Sequence, residues 1–314
     1  MKRTILLMGG LMLPPEIAEL EKQFEVIKLY REPDPEVVLQ DRRLDIQGIC
    51  SLYSRPVTKS LIDSLPNLEI ISQFGVGVDN IDLSAAKSRG VSVTNTPDIL
   101  TDDTADTAMC LLLAVSRRVC EGDMFVRVGK WQSGPLPLGR ALKNKVVGIV
   151  GLGRIGQAIA RRCAAFDMTV VYHGPRAKPD LPYKYFSDLA AMARHADYLI
   201  LACPGGEDTQ GIVTADVLDA LGRDGFLINI SRGSVVDEPA LVQALIEKRI
   251  AGAGLDVFQN EPHVPQELIS MDNVVMLPHI GSATVETRTV MGRLVIANLM
   301  AHFAGKPLIT PVAA

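Results

Sequence analysis

Three residues suited to carbonyl reduction follow three separate apolar runs in the second half of the chain. Arg232 follows the run GFLINI, Glu261 follows AGAGLDVF and His279 follows NVVMLP. Taken singly, each has an ordinary interpretation, as a surface cation, a turn residue and a hydrogen bonder at a helix entry. Because ligands bind beyond the carboxyl ends of parallel strands, we expect the three side chains to meet at one edge of a sheet.

The three side chains divide the work that reduction of a 2-keto acid requires. His279 suits the donation of a proton to the carbonyl oxygen, since imidazole titrates near neutral pH. Glu261, hydrogen-bonded to His279, would orient the ring and favour its protonated form. Arg232 can hold the substrate carboxylate and polarise the carbonyl with its planar fork of donors. The trio therefore predicts a dehydrogenase whose hydride comes from a nicotinamide.

A glycine-rich turn predicts where such a nicotinamide cofactor binds. The turn is Gly151-Leu152-Gly153-Arg154-Ile155-Gly156, entered by the strand Val146–Val150 and left by the helix Arg154–Phe166. Gly151 would permit a tight turn, Gly153 an approach to the pyrophosphate, and Gly156 close packing of helix on strand. A glycine turn with a purely structural role is the alternative, and the strand–turn–helix context favours a dinucleotide site.

The choice between NADP and NAD depends on the end of the second strand of this unit. NAD enzymes place an acidic residue there to bind the ribose, whereas this chain reads YHGPRAK over residues 172–178. Arg176 and Lys178 could pair with a 2′-phosphate, or they could be solvated loop cations. The missing acid favours NADP over NAD.

The elements that must position these residues alternate between strand and helix. Short apolar runs such as RTILLM, FEVIKL and LEIISQF alternate with helical patterns in the first hundred residues, and a second series of six strands begins at KVVGIV. Such alternation predicts an α/β protein with two doubly wound parallel-sheet domains. The last helix, from about Thr284 to Phe303, exceeds what the second domain needs, so we expect it to return to the first. The predicted boundaries are 1–98 and 287–314 for a discontinuous substrate domain, and 99–286 for the dinucleotide-binding domain inserted into it.

One predicted helix, Asp102–Arg118, is apolar nearly all round over Ala105–Val115. A helix of this kind must be buried on more than one side. We expect it to lie between two domains or at a subunit interface. The segment GKWQSGPLPLGR that follows it is rich in glycine and proline and predicts a loop.

Composition excludes several other classes. A net charge of −4 offers no basic stripe for nucleic acid, and the longest apolar stretch, Leu111–Val115, is far too short to span a membrane. The N-terminal run after Lys2 and Arg3 is favoured as a buried strand over a signal peptide. Five scattered cysteines without a CxxC pair predict no metal centre and a cytoplasmic location.

Several long segments, in order along the chain, resemble the D-isomer-specific 2-hydroxyacid dehydrogenase family. They are GVGVDNIDL, VTNTPDILTDDTAD, VGIVGLGRIG, INISRGSVVDEPALVQAL, AGAGLDVFQNEP and LPHIGSATVETR. Within that family the chain is most similar to hydroxyphenylpyruvate, hydroxypyruvate and glyoxylate reductases. The resemblance covers essentially the whole chain and implies a Rossmann coenzyme domain inserted into a flavodoxin-like substrate domain.

The resemblance also implies further site residues. It implies that backbone amides of Val76 and Gly77 bind the substrate carboxylate, that Leu52 lines the same pocket, and that Asp256 contacts the nicotinamide carboxamide. The remaining implied cofactor contacts, beyond the glycine turn, are Thr104, Gly174, Pro175, Arg176, Pro204, Thr209, Ile230, Ser231, Gly281 and Ser282. In NADP-preferring relatives the arginine of this patch stands one place earlier than Arg176. Gly205-Gly206 also replaces a Leu-Thr pair that is common in the family.

The activity implied is NAD(P)H-dependent reduction of glyoxylate, hydroxypyruvate or an aryl pyruvate to the D-2-hydroxy acid, in a homodimer formed through the coenzyme domain. Trp131, the single tryptophan, is expected to pack across that dimer. Two alternatives stay open at this stage. One is a dinucleotide-sensing binding module of the corepressor type, since a fold does not fix a function. The other is a dehydrogenase for another small acid, such as phosphoglycerate.

Overall fold

The computed structural model describes residues 2–312. The chain divides into two compact units, one formed by residues 1–100 and 282–314 and the other by residues 101–281. Each unit is built around its own parallel sheet, so the prediction of two parallel α/β domains is confirmed. No helix within residues 2–312 is long and apolar enough to cross a membrane.

The first unit contains a five-stranded parallel sheet in the order β2-β1-β3-β4-β5. Its strands are β1 (Thr4–Leu7), β2 (Glu25–Lys28), β3 (Ile46–Ser51), β4 (Ile70–Gln73) and β5 (Ser92–Thr94). Its helices are α1 (Pro14–Gln23), α2 (Pro35–Arg42), α3 (Lys59–Ser64), α4 (Leu83–Ser88) and, at the end of the chain, α12 (Val285–Phe303). The final helix α12 packs on β4 and on α1 of this unit.

The second unit contains a seven-stranded parallel sheet in the order β12-β11-β10-β9-β6-β7-β8. Its strands are β6 (Val146–Val150), β7 (Thr169–His173), β8 (Lys184–Phe186), β9 (Tyr198–Leu201), β10 (Phe226–Asn229), β11 (Gly252–Leu255) and β12 (Val274–Met276). Its helices are α5 (Thr101–Arg117), α6 (Val119–Arg127), α7 (Arg154–Ala165), α8 (Leu189–His195), α9 (Ala215–Leu221), α10 (Glu238–Ile246) and α11 (Gln266–Ile269).

The strand order reverses at β6, which pairs with β7 on one side and with β9 on the other. The loops after β6 and β9 therefore diverge and leave a crevice at the carboxyl edge of the sheet, which is where open parallel sheets bind ligands. The central strands β9, β10 and β11 are buried along their whole length, as their uninterrupted apolar sequences predict.

Three elements differ from the sequence-based expectation. The second sheet has seven strands rather than six, because the short run Lys184–Phe186 adds an edge strand beside β7. Helix α6 and a 3₁₀ turn at Lys130–Ser133 occupy part of the segment expected to be irregular. Neither element buries a residue of its own, so neither produces the apolar periodicity from which a buried element is inferred.

The apolar helix α5 is covered within the second unit alone. It packs on β10, β11 and β12 on one side and on α7 on another. Ala105, Ala108 and Leu112 are fully buried in these contacts. Two packed faces inside one unit account for its apolar circumference, so burial between domains or subunits, as expected from the sequence, is not required.

Candidate active site

The glycine-rich turn connects β6 to α7 at the point where the strand order reverses. Gly151 has a φ of +92°, and a Cβ there would stand 2.6 Å from backbone atoms of Cys203. A Cβ on Gly156 would lie 2.1 Å from the carbonyl oxygen of Gly151. Side chains at these two positions would collide with backbone, so both glycines are required by the fold itself.

Gly153 differs from its two neighbours in the motif. A Cβ there would meet no protein atom within 4 Å, and its φ of −74° suits any residue. The protein therefore has no steric reason of its own for a glycine at this position. A ligand that approaches the backbone closely would supply one.

The first turn of α7 is built to receive an anion. Gly153 is the N-cap residue, no side chain caps the helix, and its first turn has no acidic residue. The amides of Arg154, Ile155 and Gly156 lie in this turn, at the partially positive end of the helix. These features fit the pyrophosphate of a dinucleotide.

The end of β7 has no acidic residue that could bind a ribose hydroxyl. Gly174 accepts a hydrogen bond from the Tyr185 hydroxyl through its carbonyl oxygen, at 3.0 Å. Pro175 and Arg176 are exposed, whereas the Nζ of Lys178 donates to the carbonyl oxygen of Leu152 at 2.6 Å. Of the two cations considered for a 2′-phosphate, Arg176 is on the surface and Lys178 is bonded to the glycine-rich turn.

The imidazole of His279 and the carboxylate of Glu261 form a close pair. His279 Nδ1 lies 2.7 Å from Glu261 Oε2, and the two side chains are 19% and 20% exposed. The other carboxylate oxygen, Oε1, accepts a hydrogen bond from the backbone N–H of Phe258 at 3.1 Å. Both oxygens of Glu261 thus have partners, and Glu261 holds the ring by its Nδ1.

Arg232 follows β10 in a turn that Asn229 stabilises. The Asn229 side chain accepts from the N–H of Ser231 at 3.0 Å and donates to the carbonyl oxygen of Arg232 at 2.9 Å. Arg232 is half-buried and donates from Nη1 to the carbonyl oxygen of Ser231 at 2.8 Å. Arg232, Glu261 and His279 all leave the carboxyl ends of strands of the second sheet, on the same edge as the glycine-rich turn.

Asp256 lies directly after β11 and is 1% exposed. Its two carboxylate oxygens accept hydrogen bonds from the backbone N–H groups of Ile280 and Gly281, at 2.7 and 2.8 Å, and its carbonyl oxygen accepts from the N–H of His279 at 2.9 Å. Burial raises the pKa of Asp256, opposed by these hydrogen bonds and by the nearby imidazole of His279. The observed contacts of Asp256 hold the loop that carries His279, and its contact with a nicotinamide stays a prediction.

The other predicted cofactor residues of the second unit lie at the same edge of its sheet. Thr104 is buried near Gly281, and Ile230 is 7% exposed at the end of β10. Thr209 donates from its hydroxyl to the carbonyl oxygen of Pro204 at 2.7 Å, which closes the loop after β9 on itself. Ser282 is the first residue of the chain's return to the first unit.

The predicted substrate residues Leu52, Val76 and Gly77 follow strands β3 and β4 of the first unit. Leu52 is 5% exposed and packs so closely on Gly9 that a Cβ there would lie 2.2 Å from its Cδ2. Val76 and Gly77 are half-buried in the turn after β4. All three lie at the carboxyl edge of the first sheet, where a ligand of a parallel sheet is expected.

Sequence reasoning missed the buried amides that shape these loops. Asn229 at the end of β10 is 1% exposed, and so is Gln73 at the end of β4. A signal existed: each is an amide side chain at the last position of a buried strand, and a buried amide there must bond to the loop that follows. Within residues 2–312, no group of three or more His, Cys, Asp or Glu side chains is placed to hold a metal ion.

Comparison with known proteins agrees with this geometry. Residues 109–281, more than half of the chain, match the family model of the NAD-binding domain of D-isomer-specific 2-hydroxyacid dehydrogenases. The chain is 51% identical over 294 residues to glyoxylate/hydroxypyruvate reductase A of Arabidopsis thaliana, covering 94% of both proteins. It is 49% identical over 294 residues to hydroxyphenylpyruvate reductase of Plectranthus scutellarioides, again covering 94% of both.

A solved structure of a reductase has the same fold as this chain. The crystal structure of an NADPH-dependent glyoxylate/hydroxypyruvate reductase from Sinorhizobium meliloti, in complex with NADP and malonate, superposes with a TM-score of 0.93. It is 45% identical, and the match covers 100% of this chain and 97% of that protein. The resemblance noted in the sequence is confirmed, and the chain belongs to the D-isomer-specific 2-hydroxyacid dehydrogenase family.

Proposed function

We propose that this protein reduces a small 2-keto acid, such as glyoxylate, hydroxypyruvate or an aryl pyruvate, to the D-2-hydroxy acid with NADPH. The observation that carries the proposal is the His279–Glu261 pair, at 2.7 Å, on the same sheet edge as Arg232 and a dinucleotide-type glycine turn. The matched relatives are reductases of such acids, which favours an enzyme over a dinucleotide-sensing binding module.

In the proposed reaction, His279 supplies the proton for the substrate's carbonyl oxygen. Because Nδ1 bonds to Glu261, that proton is held at Nε2. The negative carboxylate of Glu261 stabilises the imidazolium until the proton leaves. A bound NADPH supplies the hydride that reduces the carbonyl carbon. The neutral imidazole then takes up a proton from solvent to begin the next turnover.

Arg232 has the hydrogen-bond donors to hold the substrate where its carbonyl oxygen can receive that proton. Its guanidinium carries five N–H groups in a rigid planar fork. We propose that the planar fork binds the 2-keto acid across a carboxylate oxygen and the carbonyl oxygen, which also polarises the carbonyl. The backbone amides of Val76 and Gly77 are proposed to bind the same carboxylate.

NADP is the proposed cofactor, in preference to NAD. No acidic side chain follows β7 to bind a ribose 2′-hydroxyl, and the exposed cation Arg176 stands in that loop. The S. meliloti reductase, whose structure contains NADP, supports the same choice. The other cofactor contacts proposed are the residues predicted from the sequence around the glycine-rich turn and after β9, β10 and β11.

We further propose that the protein is a homodimer through its second unit. Helix α6 and the segment after it carry six exposed apolar side chains, and this set is called the 119–138 surface below. Trp131 is 68% exposed and Leu138 is 95% exposed. The other four are Val119, Met124, Val126 and Val128, each more than half exposed. An apolar cluster of this kind marks a protein interface, and a second copy of the chain would cover it.

A cytoplasmic location is also proposed. All five cysteines are free thiols, and two of them, Cys110 and Cys120, are exposed. Exposed thiols persist in a reducing compartment.

A matrix of 2-keto acids against NADPH and NADH tests the proposed function. We expect oxidation of NADPH with glyoxylate, hydroxypyruvate or phenylpyruvate, a smaller rate with NADH, and the D-enantiomer as product where the product is chiral. A longer keto acid and phosphohydroxypyruvate serve as comparison substrates for the alternative acids. Purified protein that binds a dinucleotide yet oxidises neither cofactor with any member of the panel would rule the proposal out.

A further inference from the structure

The turn after β4 is held by hydrogen bonds to three consecutive carbonyl groups. The carbonyl oxygen of Gly75 accepts from the backbone N–H of Thr96 at 2.9 Å. That of Val76 accepts from the side-chain amide of Asn95 at 2.8 Å, and that of Gly77 accepts from the side-chain amide of Gln73 at 3.1 Å. Each bond fixes one peptide plane, because the peptide unit is planar.

Fixing these carbonyl groups also fixes the direction of the next three amides. In a trans peptide the C=O of one residue and the N–H of the next point in opposite directions. The N–H groups of Val76, Gly77 and Val78 therefore point away from Thr96, Asn95 and Gln73 respectively. Consecutive N–H groups directed away from the supporting core form the kind of turn that binds an anion.

The side-chain amides in this network have only one consistent orientation. Asn80 donates from Nδ2 to the carbonyl oxygen of Leu52 at 2.9 Å, so its Oδ1 faces Gln73 and accepts from Nε2 at 3.0 Å. The Gln73 oxygen then accepts from the hydroxyl of Ser51 at 2.6 Å. Every donor meets an acceptor, and reversing either amide would set like groups against one another.

We propose that Gln73, Asn80 and Asn95 are positioning residues for the substrate carboxylate. They hold the turn so that the amides of Val76, Gly77 and Val78 are directed at the carboxylate before the substrate arrives. Val78 is thereby added to the two amides implied by the family resemblance. The inference rests on the proposed function, since it assigns the turn to the carboxylate of the proposed substrate.

The network is neutral and at least half-buried, which suits this task. Gln73 is 1% exposed, and Asn80 and Asn95 are half-buried. A charged residue in place of any of the three would have to be desolvated and would itself compete for the amides or the anion. Preorganised amides are oriented when the protein folds, so orienting them costs no binding free energy when the substrate binds.

Two apolar variants of similar size test the inference, namely Asn95→Leu and Gln73→Met. Each frees one peptide plane of the turn, so we expect KM for glyoxylate and Kd for oxalate to rise about tenfold, the effect of losing roughly one hydrogen bond to a charged group. Oxalate serves as a carboxylate probe and is titrated calorimetrically into the NADPH-loaded protein. Because the change concerns binding of the carboxylate, kcat and Kd for NADPH should stay within about twofold of the wild-type values.

Thr94→Val is the matched control. Thr94 is fully buried next to Asn95, and its hydroxyl donates to Ser72 at 2.9 Å without touching the turn. This variant should lower the thermal midpoint and leave the oxalate and glyoxylate constants unchanged. A purely structural role for the network would make the control and the two variants behave alike.

The outcomes separate the inference from the proposed function. Folded variants whose oxalate Kd and glyoxylate KM stay within twofold of wild type overturn the positioning role, as do variants whose NADPH and oxalate affinities fall together. If Gln73→Met does not fold, Asn95→Leu decides alone, since it removes a half-buried side chain. A wild-type protein that reduces no 2-keto acid overturns the proposed function, whereas the oxalate titration still tests the turn.

Discussion

His279 is held in an uncommon backbone conformation by Asp256. Its φ is +54°, in a region of backbone conformation that residues other than glycine rarely adopt. The carbonyl oxygen of Asp256 accepts from its N–H, and the carboxylate of Asp256 accepts from the two N–H groups that follow. The direction of the imidazole is therefore set on its backbone side by Asp256 and on its ring side by Glu261.

Replacing Asp256 with asparagine tests this dependence. The new NH₂ group would face one of the N–H groups of Ile280 and Gly281, so a bond that holds the loop of His279 would be lost. We expect kcat for reduction to fall roughly ten- to a hundredfold, because the imidazole is no longer held in position to donate its proton. Steady-state kinetics with the best 2-keto acid measure the effect.

Asp82→Asn is the control for Asp256→Asn. Asp82 caps α4 by accepting from Ala85, and asparagine caps a helix about as well as aspartate. Its kcat should match that of the wild type. An Asp256→Asn variant with the wild-type kcat would show that Asp256 does not position the imidazole.

Replacing each of the two cations after β7 should affect cofactor binding differently. Arg176 is exposed, so Arg176→Ala should remove only its attraction for a 2′-phosphate and raise KM for NADPH about tenfold, with KM for NADH unchanged. Lys178 donates to Leu152 in the glycine-rich turn, so Lys178→Met should weaken both cofactors alike. Steady-state kinetics with the two cofactors distinguish the cases. Equal effects of Arg176→Ala on NADPH and NADH would contradict the assignment of NADP specificity to Arg176.

At the scale of elements, the fold requires two glycines of the β6–turn–α7 unit, whereas the third is left open to a ligand. Gly151 and Gly156 are surrounded by backbone, whereas the position of a Cβ at Gly153 is open. Several helices begin with a side-chain cap, as α8 does with Asp188 and α10 with Asp237. Helix α7 has none, and this leaves its N-terminal amides to a ligand.

Paired alanine substitutions test this division. Gly156→Ala should lower the free energy of unfolding by about 1–3 kcal/mol, because the new methyl group meets the carbonyl of Gly151. Gly153→Ala should change stability by no more than about 1 kcal/mol, since alanine restricts the unfolded chain but is a poorer N-cap than glycine. It should nevertheless weaken NADPH binding at least tenfold by filling the space next to the phosphates. Denaturant unfolding and fluorescence titration measure the two effects, and unchanged NADPH affinity in Gly153→Ala would contradict a pyrophosphate at this turn.

The sequence predicted those elements whose residues have a buried apolar periodicity. The two parallel sheets and the buried helix α5 follow from apolar runs that must leave water. The edge strand β8 was missed because it has only three residues and none of them is fully buried, and helix α6 was missed because it is largely exposed. At the site, side-chain chemistry indicated Arg232, Glu261 and His279. The supporting contacts of Asn229 and Gln73 depend on which loop folds over which strand end, and spacing along the chain does not contain that information.

At the scale of the whole molecule, the 119–138 surface is the feature that an isolated chain leaves unexplained. Helix α6 buries none of its residues, and its neighbours Trp131 and Leu138 are largely exposed. Keeping so much apolar surface in water is unfavourable, at about 25 cal/mol for each Å². A second copy packed on this surface would remove that cost.

Charged substitutions on this surface test the proposed dimer. Wild-type protein should elute with a mass of twice 34.0 kDa in light scattering coupled to size exclusion. The double variant Trp131→Lys/Leu138→Lys should shift toward the monomer, because two lysines would have to be desolvated in the interface. Leu44→Lys, at a 60% exposed leucine of the first unit, should remain a dimer. A wild-type monomer at micromolar concentration would contradict the dimer.

The most direct test of the account compares NADPH binding with turnover in Arg232→Ala and His279→Ala. Both residues act on the substrate, so both variants should bind NADPH with wild-type affinity. Their kcat/KM for the best 2-keto acid should fall by roughly 10²–10⁴, the usual contribution of a general acid or of a charged fork on a carboxylate. Variants that bind NADPH and still reduce the keto acid within about tenfold of the wild-type rate would contradict the proposed catalytic trio.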